Sequence, residues 1–272
     1  MDQQEEMRAT HFVLVHGACH GAWCWYKLMS LLKVETGNSN HHVQVTALDL
    51  GASGINPKLL DEVPTVDDYV QPLMEFMASL PEDHRVILVG HSYAGLCISL
   101  AMEKFPHKIS LAVFLTAYMP NFKSPPALLI QEYFKGTTSI LDSQIKFEED
   151  RPLSVIFGPQ YMKTKMYPHS QPQELELAKM LVRPSGLYME DFEKKNVLSE
   201  AKFGSVKRVF IVCEEDEVMK EEFQRWMIEI SDPPLTEEEV IVVKGADHMV
   251  MLSQPHQLSK ILTKLSYSYT TI

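Results

Sequence analysis

The segment Val86-Ile87-Leu88-Val89-Gly90-His91-Ser92-Tyr93-Ala94-Gly95-Leu96 constrains this chain more than any other. A short apolar, β-branched run ends in a turn of the form small-x-Ser-x-small, and a second apolar run of helical length follows. The first run reads as a buried strand and the second as a helix. Strand, sharp turn, helix is the form of a nucleophile elbow, in which a strained turn holds a serine hydroxyl above the end of a sheet. Small residues flank such a serine because two backbones approach there. A serine hydroxyl is a poor nucleophile until a base takes its proton and an acid orients that base. The remaining chain is therefore read for a base, an acid and an oxyanion site.

Upstream, His11 to His16 reads as a strand running into the loop Gly17-Ala18-Cys19-His20-Gly21-Ala22-Trp23, with a helix over Trp23 to Leu32. A glycine-bearing loop after a first strand cradles a phosphate or donates an N–H to an oxyanion. The dinucleotide fingerprint and the phosphate-loop lysine pattern are both absent, which leaves the oxyanion use. Val43 to Leu48 is a second strand. Thr65-Val66-Asp67-Asp68 has capping-box form and opens a helix with Tyr69, Leu73, Phe76, Met77 and Leu80 on one face. Pro72 is expected to kink or shift that helix, and Pro81 to end it. The helix after the elbow runs to about Phe105, and Ile109 to Leu115 is the next strand.

The rhythm then breaks. Residues 119–203 carry proline pairs and aromatics, one readable helix over Glu174 to Val182, and no clear strand. It resumes with a strand over Val206 to Val212, a helix from Glu221, a strand over Val240 to Val243, and a terminal helix with Pro255 at its first position. Strands alternating with helices imply an α/β fold with a mostly parallel, doubly wound sheet. We expect residues 1–118 and 204–272 to form its core and 119–203 to be an inserted cap over the carboxyl edge, where ligands bind.

A formal net charge of −11 argues against nucleic-acid or anionic-membrane binding, which need a basic face. No apolar run reaches transmembrane length. The opening Met1-Asp2-Gln3-Gln4-Glu5-Glu6 lacks the basic and apolar parts of a secretory signal. Cys19, Cys24, Cys97 and Cys213 are scattered through apolar segments, unlike a disulfide framework or zinc site. We expect a cytoplasmic protein with reduced thiols, no metal or cofactor, and a small-molecule partner. Its oligomeric state stays open, a homodimer included.

An acidic loop, Glu214-Glu215-Asp216, follows a late strand, and Gly245-Ala246-Asp247-His248 follows the last one. Both lie beyond Ser92, giving the chain order serine, acid, histidine of the α/β-hydrolase arrangement. Glu214, Glu215 and Glu217 rival Asp216 as the acid. His41-His42 reads as a solvated loop, and His91 as structural support for the elbow. Asp247 is expected to be structural, since adjacent side chains on an extended loop point apart.

The strings His11-Phe-Val-Leu-Val-His-Gly-Ala-Cys-His-Gly-Ala-Trp23, Ala52-Ser-Gly-Ile-Asn-Pro57, Gly204-Ser-Val-Lys-Arg208, Glu222-Phe-Gln-Arg-Trp226 and Gly245-Ala-Asp-His-Met249 resemble the plant methylesterase and hydroxynitrile lyase family of α/β-hydrolases, nearly end to end. The resemblance implies Ser92 as nucleophile, Asp216 as acid, His248 as base, and the N–H groups of Ala18 and Tyr93 as oxyanion hole. It implies hydrolysis of a methyl ester of a plant specialised metabolite, nearest in pattern to alkaloid esters, with decarboxylation if the freed acid carries a β-carbonyl. A small hormone ester such as salicylate or jasmonate, or a ligand receptor with little turnover, is the alternative. Family lyases carry a threonine and a lysine where this chain has Gly17 and Met249, so the resemblance favours esterase over lyase. Three departures stand out: Ala94 replaces the elbow's second glycine and should shift it slightly, Asn121 replaces an aspartate, and Ser231 to Glu239 is longer and expected to be a surface loop.

Overall fold

The structure is a computed structural model describing residues 9–35, 42–147, 152–194 and 197–269; the acidic opening stretch and His41 lie outside these. Six strands, β1 (Ala9–Val15), β2 (His42–Leu48), β3 (Val86–His91), β4 (Ile109–Leu115), β8 (Arg208–Cys213) and β9 (Val240–Val243), form one sheet in the order β2-β1-β3-β4-β8-β9. Every pairing in it is parallel. Alternate side chains face opposite apolar layers. Phe12, Leu14, Ile87, Val89, Leu111 and Val113 pack against the helices Tyr26–Glu35 and Pro255–Tyr269. Val13, Val15, Leu88, Ala112 and Phe114 pack against Val66–Ser79 and Ala94–Lys104. A sheet covered on both faces needs apolar residues at consecutive positions, which is why β3 and β8 are buried along their whole length.

Register brings the strand ends to one edge. Val15 pairs with Gly90, His91 with Leu115, Leu115 with Ile211, and Cys213 with Val243. The residues following β1, β3, β4, β8 and β9 therefore gather at the carboxyl edge. The chain reverses direction across the sheet between β1 and β3, the switch point where open α/β sheets form a crevice.

Several sequence expectations need correction. The segment between β4 and β8 does contain strands: β5 (Gln144–Lys146), β6 (Ser154–Ile156) and β7 (Ser185–Gly186) form a small antiparallel sheet. Two or three residues are too few to carry a period. The helix expected over Trp23 to Leu32 begins as a 3₁₀ turn at Ala22–Trp25 and is α-helical over Tyr26–Glu35. Its counterpart expected over Glu174 to Val182 spans Pro172–Leu181. The helix Val66–Ser79 runs through Pro72, which can donate no bond of its own, and ends before Pro81 as expected. One turn earlier, the Tyr69 carbonyl accepts an outside bond from Gly51 N at 2.8 Å. The Thr65–Asp68 capping box forms as expected, and Pro255 opens the terminal helix. His42 lies in β2 rather than in a loop. Residues 231–236 form a loop exposed at Pro233, Pro234 and Thr236 and buried at Ser231, closed by a short 3₁₀ turn at Glu237–Glu239. The four cysteines are free and buried. Among the described residues, no helix is long and apolar enough to cross a membrane.

Gly95 marks a close approach of two backbones in the core. A Cβ there would lie 2.0 Å from the Tyr118 carbonyl oxygen, and backbone cannot step aside as a side chain can. Ala94, by contrast, is the first residue of a regular helix and its methyl group is fully buried there. Urea denaturation should therefore find Gly95→Ala destabilised by about 3 kcal/mol or more. Ala94→Gly should cost about 1–2 kcal/mol, from the helix preference and the buried methyl group together.

Candidate active site

Ser92 follows β3 with φ +55°, a left-handed conformation that a serine adopts only where its surroundings impose it. The surroundings are visible. The Ser92 carbonyl accepts from Gly95 N and from Tyr118 N, each at 3.1 Å. Because the peptide unit is planar and trans, fixing that carbonyl directs the Tyr93 N–H the opposite way. The loop after β1 repeats the device. The Gly17 carbonyl accepts from His16 Nδ1–H at 2.8 Å and from His20 N at 3.3 Å, which fixes the direction of the Ala18 N–H. The His16 tautomer is set by its other nitrogen, which accepts from Leu50 N at 3.2 Å. Among the described residues, neither the Ala18 nor the Tyr93 N–H meets a protein acceptor.

His248 and Asp216 converge on the serine from β9 and β8. Ser92 Oγ lies 3.0 Å from His248 Nε2, and His248 Nδ1 lies 2.7 Å from Asp216 Oδ2. A carboxylate only accepts, so Nδ1 carries the proton and Nε2 is left to accept from the serine hydroxyl. Asp216 Oδ1 accepts from Val218 N at 2.7 Å and Met219 N at 2.8 Å. Thr116 Oγ1–H donates to Oδ2 at 2.6 Å. Both His248 and Asp216 are buried.

The rival acids are engaged elsewhere. Glu214 accepts from Gly245 N, Glu215 pairs with His169, and Glu217 with Lys165. Asp247 turns away from the histidine ring, accepting from Ser253 Oγ at 2.6 Å and His169 N at 3.0 Å, and burial pushes its carboxyl upward. His91 donates Nε2–H to the His248 carbonyl at 2.8 Å, bracing the last loop against the elbow, and burial holds it neutral. Asn121 accepts from Lys123 N and Ser124 N, and its amide donates to the Ile230 carbonyl, a bond that an aspartate could not make. The structure thus brings together every candidate except the rival acids. Thr116 and the histidines fixing the Ala18 loop were missed. A polar residue directly after the apolar run 111–115 of β4 was the available signal for Thr116.

Above Ser92 is a cavity of about 60 Å³ walled by Tyr118, Tyr133, Phe157, Tyr161, Leu187 and Met219. The Tyr133 and Tyr161 hydroxyls lie 3.1 Å apart, one donating to the other. A Cβ on Gly17 would lie 2.9 Å from Ser92 Cβ, so a threonine there would crowd the elbow. A larger recess of about 430 Å³ near Tyr26 and His256 contains neither Ser92, His248 nor Asp216.

A model of the alpha/beta hydrolase family matches residues 12–261. Methylesterase 10 of Arabidopsis thaliana is 47% identical over 272 residues, covering 98% of this chain and 94% of the relative. Norfluorocurarine synthase 2 of Strychnos nux-vomica is 46% identical over 272 residues, covering 98% of each. Polyneuridine aldehyde esterase of Rauvolfia serpentina is 45% identical over 263 residues, covering 95% of this chain and 96% of the relative. A crystal structure of polyneuridine aldehyde esterase superposes with a TM-score of 0.87 at 44% identity, covering 95% of this chain and 100% of that chain.

Three buried histidines around this site carry a stability consequence. Burial pushes His20 from 6.5 to about 3, and holds His16 and His91 below 6.5 as well. Below that unfolded value the unfolded chain binds more protons, so stability is complete above about pH 6.5 and is lost as pH falls. Urea titrations should lose at least about 3 kcal/mol of stability between pH 6.5 and 5. A flat profile across that window would contradict the neutral histidine cluster.

Proposed function

The chain belongs to the alpha/beta hydrolase family, and on that premise we propose that it is a serine carboxylesterase cleaving a methyl ester of a plant specialised metabolite. One observation carries this reading: an unbroken chain of hydrogen bonds from Ser92 through His248 to Asp216, beside two N–H groups with fixed direction.

Ser92 Oγ attacks the ester carbonyl while His248 Nε2 takes its proton, and Asp216 stabilises the imidazolium that forms. The carbonyl oxygen becomes an oxyanion and accepts from the Ala18 and Tyr93 N–H groups. Each such donor is worth about 3 kcal/mol in the transition state. The intermediate collapses, His248 returns the proton to the departing methoxide, and methanol leaves. Water repeats the sequence on the acyl-enzyme and releases the acid. Where the acid carries a carbonyl at the β position, it then loses carbon dioxide.

Residues 119–203 act as the cap that selects the acyl part, since they supply Tyr133, Phe157, Tyr161 and Leu187 to the cavity wall. Likeness to a polyneuridine aldehyde esterase and a norfluorocurarine synthase favours an alkaloid-type ester. Likeness to salicylic acid-binding protein 2 of Nicotiana tabacum (47% identical) and methyl jasmonate esterase 1 of Vitis vinifera (45% identical) favours a second reading, a compact ester such as methyl salicylate or methyl jasmonate. Free, buried thiols fit a cytosolic location.

A panel of methyl esters (indole alkaloid, salicylate, jasmonate, indole acetate), with mass detection of acid and decarboxylated product, separates these readings. Ser92→Ala should lower kcat at least about 10³-fold on the best substrate. Its Tm should stay close to that of the unaltered protein. Full activity in that variant would sink the assignment.

A further inference from the structure

We propose that Thr116 is a positioning residue for the acid and base, its hydroxyl holding the Asp216 carboxylate so that one lone pair of Oδ2 faces His248. The inference rests on the esterase reading above.

Thr116 follows β4, is fully buried, and has φ +36°. A β-branched residue in that region is a backbone outlier that persists only where its surroundings over-determine it. Here they do. Its N–H donates to the Ile211 carbonyl at 2.9 Å, tying the residue to β8, the strand that leads to Asp216. From that anchored position Oγ1–H donates to Asp216 Oδ2 at 2.6 Å, the short distance of a charge-assisted O–H···O⁻ bond.

An ionised carboxylate has about four acceptor positions. Two N–H groups fill those of Oδ1, and Thr116 fills one of Oδ2. The fourth is directed at His248 Nδ1. Without the threonine hydroxyl the carboxylate keeps both bonds to Oδ1, but nothing besides the histidine itself fixes Oδ2. The negative charge that Thr116 shares then falls more fully on the imidazole. The histidine binds its proton more tightly, and the serine–histidine geometry loosens.

The other groups facing the pair are left in place by a change at Thr116. His248 is faced by Ser92 and by His91 and His20, both held neutral by burial, and it feels the charge of Asp247, whose carboxyl turns away to Ser253 and His169. Asp216 is faced by Tyr133, Tyr161 and Cys213, whose protons burial retains.

The test compares the unaltered protein with Thr116→Val and Thr116→Ser, measuring kcat and KM on 4-nitrophenyl acetate from about pH 5 to 9. Valine keeps the branched shape and loses the hydroxyl; serine keeps the hydroxyl. For Thr116→Val we expect kcat to fall roughly tenfold, KM to stay within about twofold, and the acid limb of the profile to move to higher pH. Thr116→Ser should restore both kcat and limb. If the valine variant does not fold, Thr116→Ala against Thr116→Ser is judged by the same criteria. A hydroxyl-free variant with unchanged kcat and limb overturns the proposal, as does a serine variant equally impaired. An unaltered protein that hydrolyses no ester overturns the esterase reading and this inference with it. Normal hydrolysis unaffected by the loss of the hydroxyl overturns this inference alone.

Discussion

The contact on which the rest of the site depends is the approach of the helix after β3 to the loop after β4. Tyr118 N donates to the Ser92 carbonyl, and the Tyr118 carbonyl oxygen occupies the space where a Gly95 side chain would stand. That single crossing fixes the Ser92 peptide, and through it the direction of the Tyr93 N–H. It also sets the course of the chain after β4, two residues before Tyr118, where Thr116 meets Asp216. The elbow, the oxyanion donors and the acid thus share one scaffold of backbone contacts, formed before any substrate enters. Preorganised dipoles of this kind need no rearrangement when charge develops, which is what makes them effective in a dry site.

Histidines divide into two kinds here. His248 is linked on one side to a carboxylate and on the other to a hydroxyl, so its ring nitrogens have distinct duties. His16, His20 and His91 spend their N–H groups on backbone carbonyls and are held neutral by burial. They orient loops instead of moving protons. Asp216 and Asp247 differ in the same way: one faces the imidazole, while the other braces a loop through Ser253 and His169.

Much of this was legible in the chain. Apolar runs with turn residues between them locate the six parallel strands, because a strand buried on both faces must be apolar throughout. Serine, acid and histidine each follow such a run, and a parallel sheet places all such positions at one edge. Ala94 begins a regular helix in which its methyl group is buried, and the strict demand for glycine falls on Gly95. The choice of Asp216 over its neighbouring glutamates needed the family resemblance, since loop acids look alike until their burial is known. The strands of the segment between β4 and β8 were not legible, being two or three residues long and held by pairing with distant partners. Thr116 showed only as a polar residue after β4, and its role was not legible, because that role arises from a backbone conformation and a partner one hundred residues away.

The central claim is that the fold activates Ser92 and no other hydroxyl. Incubating the folded protein with a fluorophosphonate and weighing the intact chain tests this most directly, followed by peptide mapping of the adduct. The account predicts one phosphonyl group per chain, located on Ser92, with labelling lost in His248→Ala. Labelling spread over other residues, or a folded protein that takes up none, would contradict it.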